Sequence, residues 1–186
     1  PTGSGKSTTL YTALSALNKE QVNIVTVEDP VEADLEGINQ IQVNNKVELT
    51  FASALRSILR QDPDIIMIGE IRDQETASIA VQASITGHLV VSTMHTNNAV
   101  GTLNRMADMG IARYLISDAI IGVIAQRLVR KLCPHCRKKR LATDEEKRIL
   151  KRSAVEQTEI YEPGGCRLCS NTGYFGRTGV FEIMEV

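Results

Sequence analysis

The sequence predicts an α/β fold with a mainly parallel sheet and helices on both faces, followed by a small C-terminal module. Hydrophobic runs of strand length alternate with amphipathic helical stretches over residues 1–125, and all four cysteines fall in two C-x-x-C pairs near the end. Strands separated by helices favour right-handed crossovers and a parallel sheet. We therefore expect an α/β core over residues 1–127 and a cysteine-containing module over residues 128–186.

The elements of the core follow from the spacing of apolar residues. Helices are predicted over residues 7–17, 51–61 and 74–85, and a further helix is expected to start after Asn97 or Asn98 and run toward Met109. Strands are predicted over residues 22–27, 65–68 and 88–93. The predicted core stripe of the first helix consists of Leu10, Ala13, Leu14 and Leu17.

The first predicted helix is preceded by a glycine-rich loop. Residues 1–7 read Pro-Thr-Gly-Ser-Gly-Lys-Ser, which is the phosphate-binding pattern G-x-x-x-x-G-K-[ST] without its first glycine. Glycines let backbone N–H groups turn toward phosphate oxygens, while Lys6 supplies a positive charge and Ser7 a hydroxyl for Mg²⁺. The predicted ATP-binding residues are Thr2, Gly3, Ser4, Gly5, Lys6, Ser7 and Thr8. The alternative is a glycine-rich turn before an ordinary helix.

The position of this loop at residue 1 leads to an expectation about the chain itself. Because the pattern starts inside the loop, we expect the 186 residues to be part of a longer protein. The strand that normally precedes such a loop anchors it to the sheet. The isolated chain is therefore expected to bind ATP poorly and to hydrolyse it negligibly.

Acidic residues follow two of the predicted strands. Glu28-Asp29-Pro30-Val31-Glu32 comes after the strand over residues 22–27, and Glu70 follows Ile65–Ile68 with Gly69 between them. Ligands of parallel sheets gather at the carboxyl ends of strands, where a carboxylate can hold Mg²⁺ or take a proton from water. The alternative for the first cluster is an acidic turn ended by Pro30. Arg72 and Asp73 are predicted to pair with each other as surface charges.

Two histidines flank the strand predicted over residues 88–93. His88 and His95 are seven residues apart, so they point to opposite faces of a regular strand, which argues against a shared metal site. His95 lies at the strand end, where it could hydrogen-bond the γ-phosphate or a neighbouring loop. The alternative is a structural histidine.

The four cysteines predict a zinc site. Cys133, Cys136, Cys166 and Cys169 form two C-x-x-C pairs, which can together supply the four thiolates of a closed tetrahedral Zn²⁺ site. The 29 residues between the pairs are long for such a module, and a helix is predicted from Asp144 to Arg152. The competing interpretations are redox pairs or disulfides, and His135 could replace one cysteine.

Composition excludes several classes of protein. With 42% hydrophobic and 23% charged residues, the chain is neither disordered nor fibrous, and no apolar run approaches the ~20 residues of a membrane span. Residues 126–153 contain eleven Lys or Arg and three acidic residues, against a net charge of −1 for the whole chain. This basic segment could contact anionic lipid or nucleic acid, or solvate a surface. Aromatic residues make up only 4%, which argues against stacking on single-stranded nucleic acid.

Taken together, the phosphate-binding loop, Glu28-Asp29-Pro30, the segment from Leu59 to Asp73 and the box from Gly87 to Thr96 resemble the secretion ATPase superfamily of type II secretion and type IV pilus assembly. The resemblance implies a RecA-like core within a homo-hexamer at the cytoplasmic face of the bacterial inner membrane. It further implies that ATP hydrolysis drives an inner-membrane platform protein, with a second protein recruiting the motor to the membrane.

The resemblance also implies roles for individual residues. Glu28 would be the general base, Glu70 would polarise water or Mg²⁺, and the two could exchange these roles. His95 would couple the γ-phosphate to movement, and an arginine finger would come from outside residues 1–186. A tetracysteine zinc module is typical of the assembly and secretion branch and not of retraction motors. The alternative function is a nucleotide-gated scaffold, or a zinc module that binds nucleic acid, without useful turnover.

Overall fold

A four-stranded sheet forms the centre of the computed structural model, which describes residues 2–186. Its strands are β1 (Ile24–Glu28), β2 (Asn39–Gln42), β3 (Ile65–Ile68) and β4 (Leu89–Ser92), in the spatial order β2-β1-β3-β4. All three neighbouring pairs are parallel, so the predicted α/β fold with a parallel sheet is confirmed. Only β2 lacks a predicted counterpart, because its sequence, Asn-Gln-Ile-Gln, has a single apolar residue.

Five helices of the described chain accompany this sheet. They are α1 (Lys6–Leu17), α2 (Phe51–Ile58), α3 (Gln74–Ile85), α4 (Ala99–Asp108) and α5 (Arg113–Ala119). Side chains cap three of them: Thr50 accepts a hydrogen bond at the start of α2, Asp73 at α3 and Asn98 at α4. Such caps satisfy N–H groups that have no partner inside the helix, which is why these helices begin where they do.

Alternate residues of β3 face two separate hydrophobic clusters. Ile65 and Met67 pack with Leu14 of α1, whereas Ile66 and Ile68 pack with residues of α2, α3, α4 and α5. Because successive strand residues point to opposite faces, helices cover both faces of the sheet. In α1 only Leu14 is buried and Leu10 packs beside it. The prediction that the core stripe of α1 includes Ala13 and Leu17 is wrong, since both residues are exposed. The face of α1 that packs in the core is narrower than the apolar pattern of its sequence.

The chain divides into two compact units. The first contains the residues up to Arg127 together with Phe181–Val186, and the second is Leu128–Val180. The remaining elements are β5 (Gly122–Leu132), β6 (Lys138–Leu141), α6 (Asp144–Ile149), β7 (Glu159–Glu162), β8 (Tyr174–Glu185) and the short 3-10 turns Asn45–Val47 and Arg167–Cys169. β5 pairs with β8, and β6 pairs antiparallel with β7.

The second unit has little hydrophobic core. Within Leu128–Val180 the buried side chains are those of Cys133, Ala142 and Cys169. The helix predicted to reach Arg152 ends at Ile149, and Lys151 has a left-handed backbone conformation that a helix cannot continue through. Across residues 2–186, no helix combines the length and the hydropathy needed to cross a bilayer.

Candidate functional site

Both glycines of the loop before α1 have a left-handed backbone conformation. Gly3 and Gly5 have φ of 71° and 83°, in the left-handed region that favours glycine. Gly5 is the N-cap of α1 and has no side chain to cap the helix, so the cap residue does not compete with an anion at the start of the helix. Pro1 lies outside the described residues.

Two features of this loop fit a bound phosphate. The Ser4 hydroxyl is buried, and it has no hydrogen-bond partner among the described residues. Apart from the chain neighbours of Gly3, no heavy atom of residues 2–186 lies within 4 Å of the position that a Cβ of Gly3 would take, so the loop has room for a ligand. A buried hydroxyl without a partner is costly, and a phosphate oxygen would remove that cost. Lys6 and Ser7 are half-buried, whereas Thr2 and Thr8 are exposed.

Glu28 lies at the carboxyl end of β1, where it is 3% exposed and held by hydrogen bonds. Its Oε1 accepts from the Thr26 hydroxyl at 2.6 Å and from Gln40 Nε2 at 3.1 Å. Its Oε2 accepts from the Tyr11 hydroxyl, which reaches it from α1. All three donors are neutral, so the carboxylate is oriented without a cationic partner among them.

Ser7 joins the start of α1 to the same acidic segment. Its hydroxyl donates to Glu32 Oε1 at 3.1 Å. Ser7 and Tyr11 are four residues apart and therefore share one face of α1. The helix that begins at the loop is thus attached to residues 28–32 at two points.

Glu70 follows β3 after Gly69, which lies against the end of β1. The Gly69 N–H donates to Val27 O at 2.8 Å, and a Cβ on Gly69 would lie 3.3 Å from Glu28 Cα. The absence of a side chain at Gly69 lets the two strand ends approach closely, since a Cβ here would make a tight contact. The Glu70 side chain is 11% exposed, and it forms ion pairs with Arg72 and with His95, whose Nε2 is 3.2 Å from Oε2.

The prediction that Arg72 and Asp73 pair with each other is wrong. Arg72 pairs with Glu70, and Asp73 instead caps α3 through Thr76, accepting from its backbone N–H and its hydroxyl. The turn after β3 brings the Arg72 guanidinium back to Glu70, while the Asp73 carboxylate accepts hydrogen bonds from the first turn of α3.

The two histidines have different environments. His95 contacts Glu70, whereas His88 Nδ1 lies 2.9 Å from Ala83 O at the end of α3. The strand ends are also tied together at Thr93, whose hydroxyl donates to Gly69 O at 2.7 Å and whose carbonyl accepts from the Ile71 N–H. The parallel sheet therefore places Glu28, Glu70 and His95 at the carboxyl ends of β1, β3 and β4, on the same side of the sheet.

Three participants in this site lie outside the sequence motifs. Tyr11, Thr26 and Gln40 hold Glu28, yet none belongs to a motif. Tyr11 could have been found from its helical spacing to Ser7. Gln40 could not, because β2 itself was not predicted.

A cavity of about 630 Å³ lies beside β4, which is one of the two edge strands of the four-stranded sheet. Lys6 and Thr9 reach its lining, but most of the lining is aliphatic, from residues such as Leu89, Val91 and Ile183. Aliphatic surface does not compensate the lost hydration of a triphosphate. The loop and not this cavity is therefore the candidate phosphate site.

The four cysteines converge on one point in the second unit. Their Sγ atoms all lie within 4.8 Å of one another, with separations of 4.0 Å for Cys133–Cys166, 3.8 Å for Cys136–Cys169 and 3.7 Å for Cys166–Cys169. A tetrahedron with metal–sulfur distances of ~2.3 Å requires sulfur–sulfur separations of about 3.8 Å. Disulfide bonds require about 2 Å, and all four thiols are free.

Backbone N–H groups point at these sulfurs. Cys169 Sγ accepts from the N–H groups of Cys166 at 3.2 Å and Gly173 at 3.3 Å. Burial disfavours its thiolate, but these backbone hydrogen bonds, together with side-chain hydrogen bonds from Cys166 and Cys136, outweigh burial and lower the pKa of Cys169 to about 6. Burial raises the pKa of Cys136 to about 11. The cluster could hold a metal ion with four thiolate ligands, and His135 does not belong to it.

Part of the positive charge in the basic segment is paired within its own unit. Lys139 pairs with Glu159, and Arg140 pairs with both Glu146 and Glu162. The Arg140 guanidinium and the Thr143 N–H hold the pKa of Glu146 at about 2. These pairs leave fewer free cations for an anionic partner than the sequence count suggests.

Comparison with known proteins places this geometry in context. Residues 1–186 match the family described as Type II/IV secretion system protein. Type II secretion system protein E of Aeromonas hydrophila is 58% identical over 186 residues, and that of Dickeya dadantii (strain 3937) is 59% identical. Each alignment covers 100% of this chain and 37% of the relative, so the chain spans little more than a third of these proteins.

Solved structures of a pilus motor and of a secretion system ATPase are also similar to this chain. The pilus retraction motor PilT, solved with bound ADP, matches with a TM-score of 0.67 and 41% identity over 72% of this chain and 42% of its own. The VirB11 ATPase of the Brucella suis type IV secretion system, solved with sulphate, matches with a TM-score of 0.56 and 28% identity over 66% of this chain and 40% of its own.

The α/β fold, with Glu28, Glu70 and His95 at the carboxyl ends of its strands, is thus similar to the solved structures of a pilus motor and a secretion system ATPase. The chain belongs to the type II/IV secretion system protein family. The resemblance noted from the four sequence motifs is confirmed.

Proposed function

We propose that this chain is the ATP-hydrolysing part of a type II secretion motor, which drives assembly of a pseudopilus. The observation that carries the proposal is the attachment of the glycine-rich loop's helix to the carboxyl edge of the sheet, where Glu28, Glu70 and His95 gather. Identities of 58–59% to type II secretion system protein E, against 41% to PilT, favour secretion over pilus retraction.

The loop would hold the phosphates of ATP. Thr2–Thr8 form the loop and the start of α1; there is open space beside Gly3, the Ser4 hydroxyl supplies a buried polar group, and Lys6 supplies positive charge. Ser7 would place its hydroxyl toward Mg²⁺, beside the Glu32 carboxylate that it contacts. When bound, Mg²⁺ neutralises charge on the β and γ phosphates.

Glu28 would act as the general base. Its carboxylate is buried and is oriented by three neutral donors, which leaves lone-pair capacity for the proton of an attacking water. Both oxygens of Glu70 face cationic or cation-forming groups, namely Arg72 and His95. Glu70 would therefore orient the water or the metal shell, and its contact with His95 would link the end of β3 to the segment after β4.

The cysteine cluster would hold a structural zinc ion. Four thiols at tetrahedral separations, with N–H groups directed at their sulfurs, fit Zn²⁺ and leave no open position for catalysis. Its function would be to fold Leu128–Val180, which has almost no apolar core. A tetracysteine module also agrees with a role in secretion or assembly.

The assembled motor would extend beyond this chain. We propose a homo-hexamer at the cytoplasmic face of the bacterial inner membrane, with an arginine finger supplied from outside residues 1–186. Its partners would be an inner-membrane platform protein and a protein that recruits the motor to the membrane. Anionic lipid would contact the basic segment, and nucleic acid is not proposed as a ligand.

ATP hydrolysis by the full-length natural protein tests the proposal. Glu28→Gln and Glu70→Gln are each compared with Glu20→Gln, an exposed control in the loop after α1. Loss of a general base costs about 10²- to 10⁴-fold in kcat. Unchanged turnover in both test variants would refute the catalytic assignment, and the control should retain the wild-type rate.

A further inference from the structure

Tyr11 occupies a position that none of the recognised motifs explains. It lies on α1, one turn after Ser7, and its ring packs with the cluster around Leu14 between α1 and the sheet. Its hydroxyl lies outside this apolar cluster and contacts the acidic segment at the end of β1. There it makes two hydrogen bonds, one to a carboxylate and one to the backbone.

The direction of these two bonds is fixed by chemistry. The Glu32 N–H can only donate, so the Tyr11 oxygen accepts from it, at 3.1 Å. An ionised carboxylate can only accept, so the Tyr11 hydroxyl donates its single proton to Glu28 Oε2. A hydroxyl that accepts one bond becomes a stronger donor in the next. The phenol therefore links the Glu32 backbone to the Glu28 carboxylate in one polarised chain.

The three donors to Glu28 differ in which carboxylate oxygen they contact. Thr26 and Gln40 both donate to Glu28 Oε1, whereas Tyr11 is the donor to Oε2 among the hydrogen bonds of the described residues. A carboxylate fixed at one oxygen can still rotate about that anchor. Two fixed oxygens set both the plane of the group and the direction of its remaining lone pair.

We propose that Tyr11 is a positioning residue that fixes the plane of the Glu28 carboxylate and ties it to the helix that follows the glycine-rich loop. The inference rests on the proposed role of Glu28 as general base. Burial and the bond to Glu28 raise the pKa of Tyr11, so the hydroxyl stays protonated and remains a donor. Because the donor is carried by α1, a shift of that helix would move the Glu28 carboxylate directly.

Tyr11→Phe tests this inference without removing the ring. The phenylalanine keeps the packing against the Leu14 cluster and loses only the hydroxyl, so the full-length natural protein should fold. Tyr114→Phe is the matched control, because Tyr114 is 68% exposed. We expect kcat of Tyr11→Phe to fall about tenfold, as for other residues that orient a reacting group, with KM for ATP and affinity for a fluorescent ADP analogue within about twofold of wild type.

The double variant with Glu28→Gln separates positioning from a general structural effect. If Tyr11 acts through Glu28, adding Tyr11→Phe to Glu28→Gln causes no further loss in single-turnover hydrolysis. If Tyr11→Phe lowers the rate of single-turnover hydrolysis by the same factor in the wild type and in Glu28→Gln, the inference is overturned while the proposed function stands. A wild-type kcat in Tyr11→Phe would have the same consequence. Full activity in Glu28→Gln would overturn the role of Glu28 as general base, and no ATPase activity in the wild type would overturn the proposed function; either result would also overturn the inference.

Discussion

Replacing Cys169 with alanine is expected to remove zinc from the full-length natural protein and to unfold Leu128–Val180. The side chain is buried, lies 3.7–3.8 Å from two other sulfurs and accepts two backbone N–H groups. The only other buried side chains of this unit are Cys133 and Ala142, so packing within the described residues offers little to replace the metal.

The size of the effect follows from the stability that zinc contributes. Structural zinc contributes ~10–16 kcal/mol to the folding of small domains, which is as large as the whole stability of an ordinary domain, ~5–15 kcal/mol. Because the substitution releases the ion, protection from hydrogen exchange across Leu128–Val180 should fall to that of an unfolded chain. Peptides from α2 and α3 should keep their protection, because their hydrophobic cluster lies in the other unit.

Hydrogen exchange by mass spectrometry, with metal analysis of the same samples, measures both quantities. His135→Ala is the matched control, since His135 lies between two cysteines of the chain but outside the cluster. The control should keep one zinc per chain and wild-type protection. A metal content near zero in wild-type protein purified without chelator, or full zinc in Cys169→Ala, would contradict the tetracysteine assignment.

Three further substitutions test the packing around both sites. Leu55 is fully buried in α2, so Leu55→Ala should lower the free energy of unfolding by about 2–5 kcal/mol in urea denaturation; a loss below about 1 kcal/mol would contradict the assigned core. Gly69→Ala places a Cβ 3.3 Å from Glu28 Cα and should reduce kcat about tenfold or more, while unchanged turnover would show that the strand ends tolerate the shift. A Cβ at Gly164 would lie 2.0 Å from Cys136 O, so Gly164→Ala should release zinc, which metal analysis would reveal.

The predictable parts of the fold were those with strong local patterns. The strand Ile65–Ile68 and the helix Gln74–Ile85 have the predicted bounds, because an unbroken apolar run and a capped helix are visible within a few residues. By contrast, β2, α5 and the strands of the second unit had no predicted counterpart. β6 reads Lys-Lys-Arg-Leu and is a strand only because it pairs with β7, so its local sequence carried no strand signal.

The local sequence is enough to locate the chemical groups and the strand ends that carry them: the glycine-rich loop, Glu28, Glu70, His95 and the two cysteine pairs. Each of these motifs lies within one turn or at one strand end. The contacts between distant groups follow from the packing of the fold, which brings the Tyr11 hydroxyl and Gln40 of β2 to Glu28, and His95 to Glu70 across 25 residues. Such contacts depend on how separate elements pack, which the period of one element does not encode.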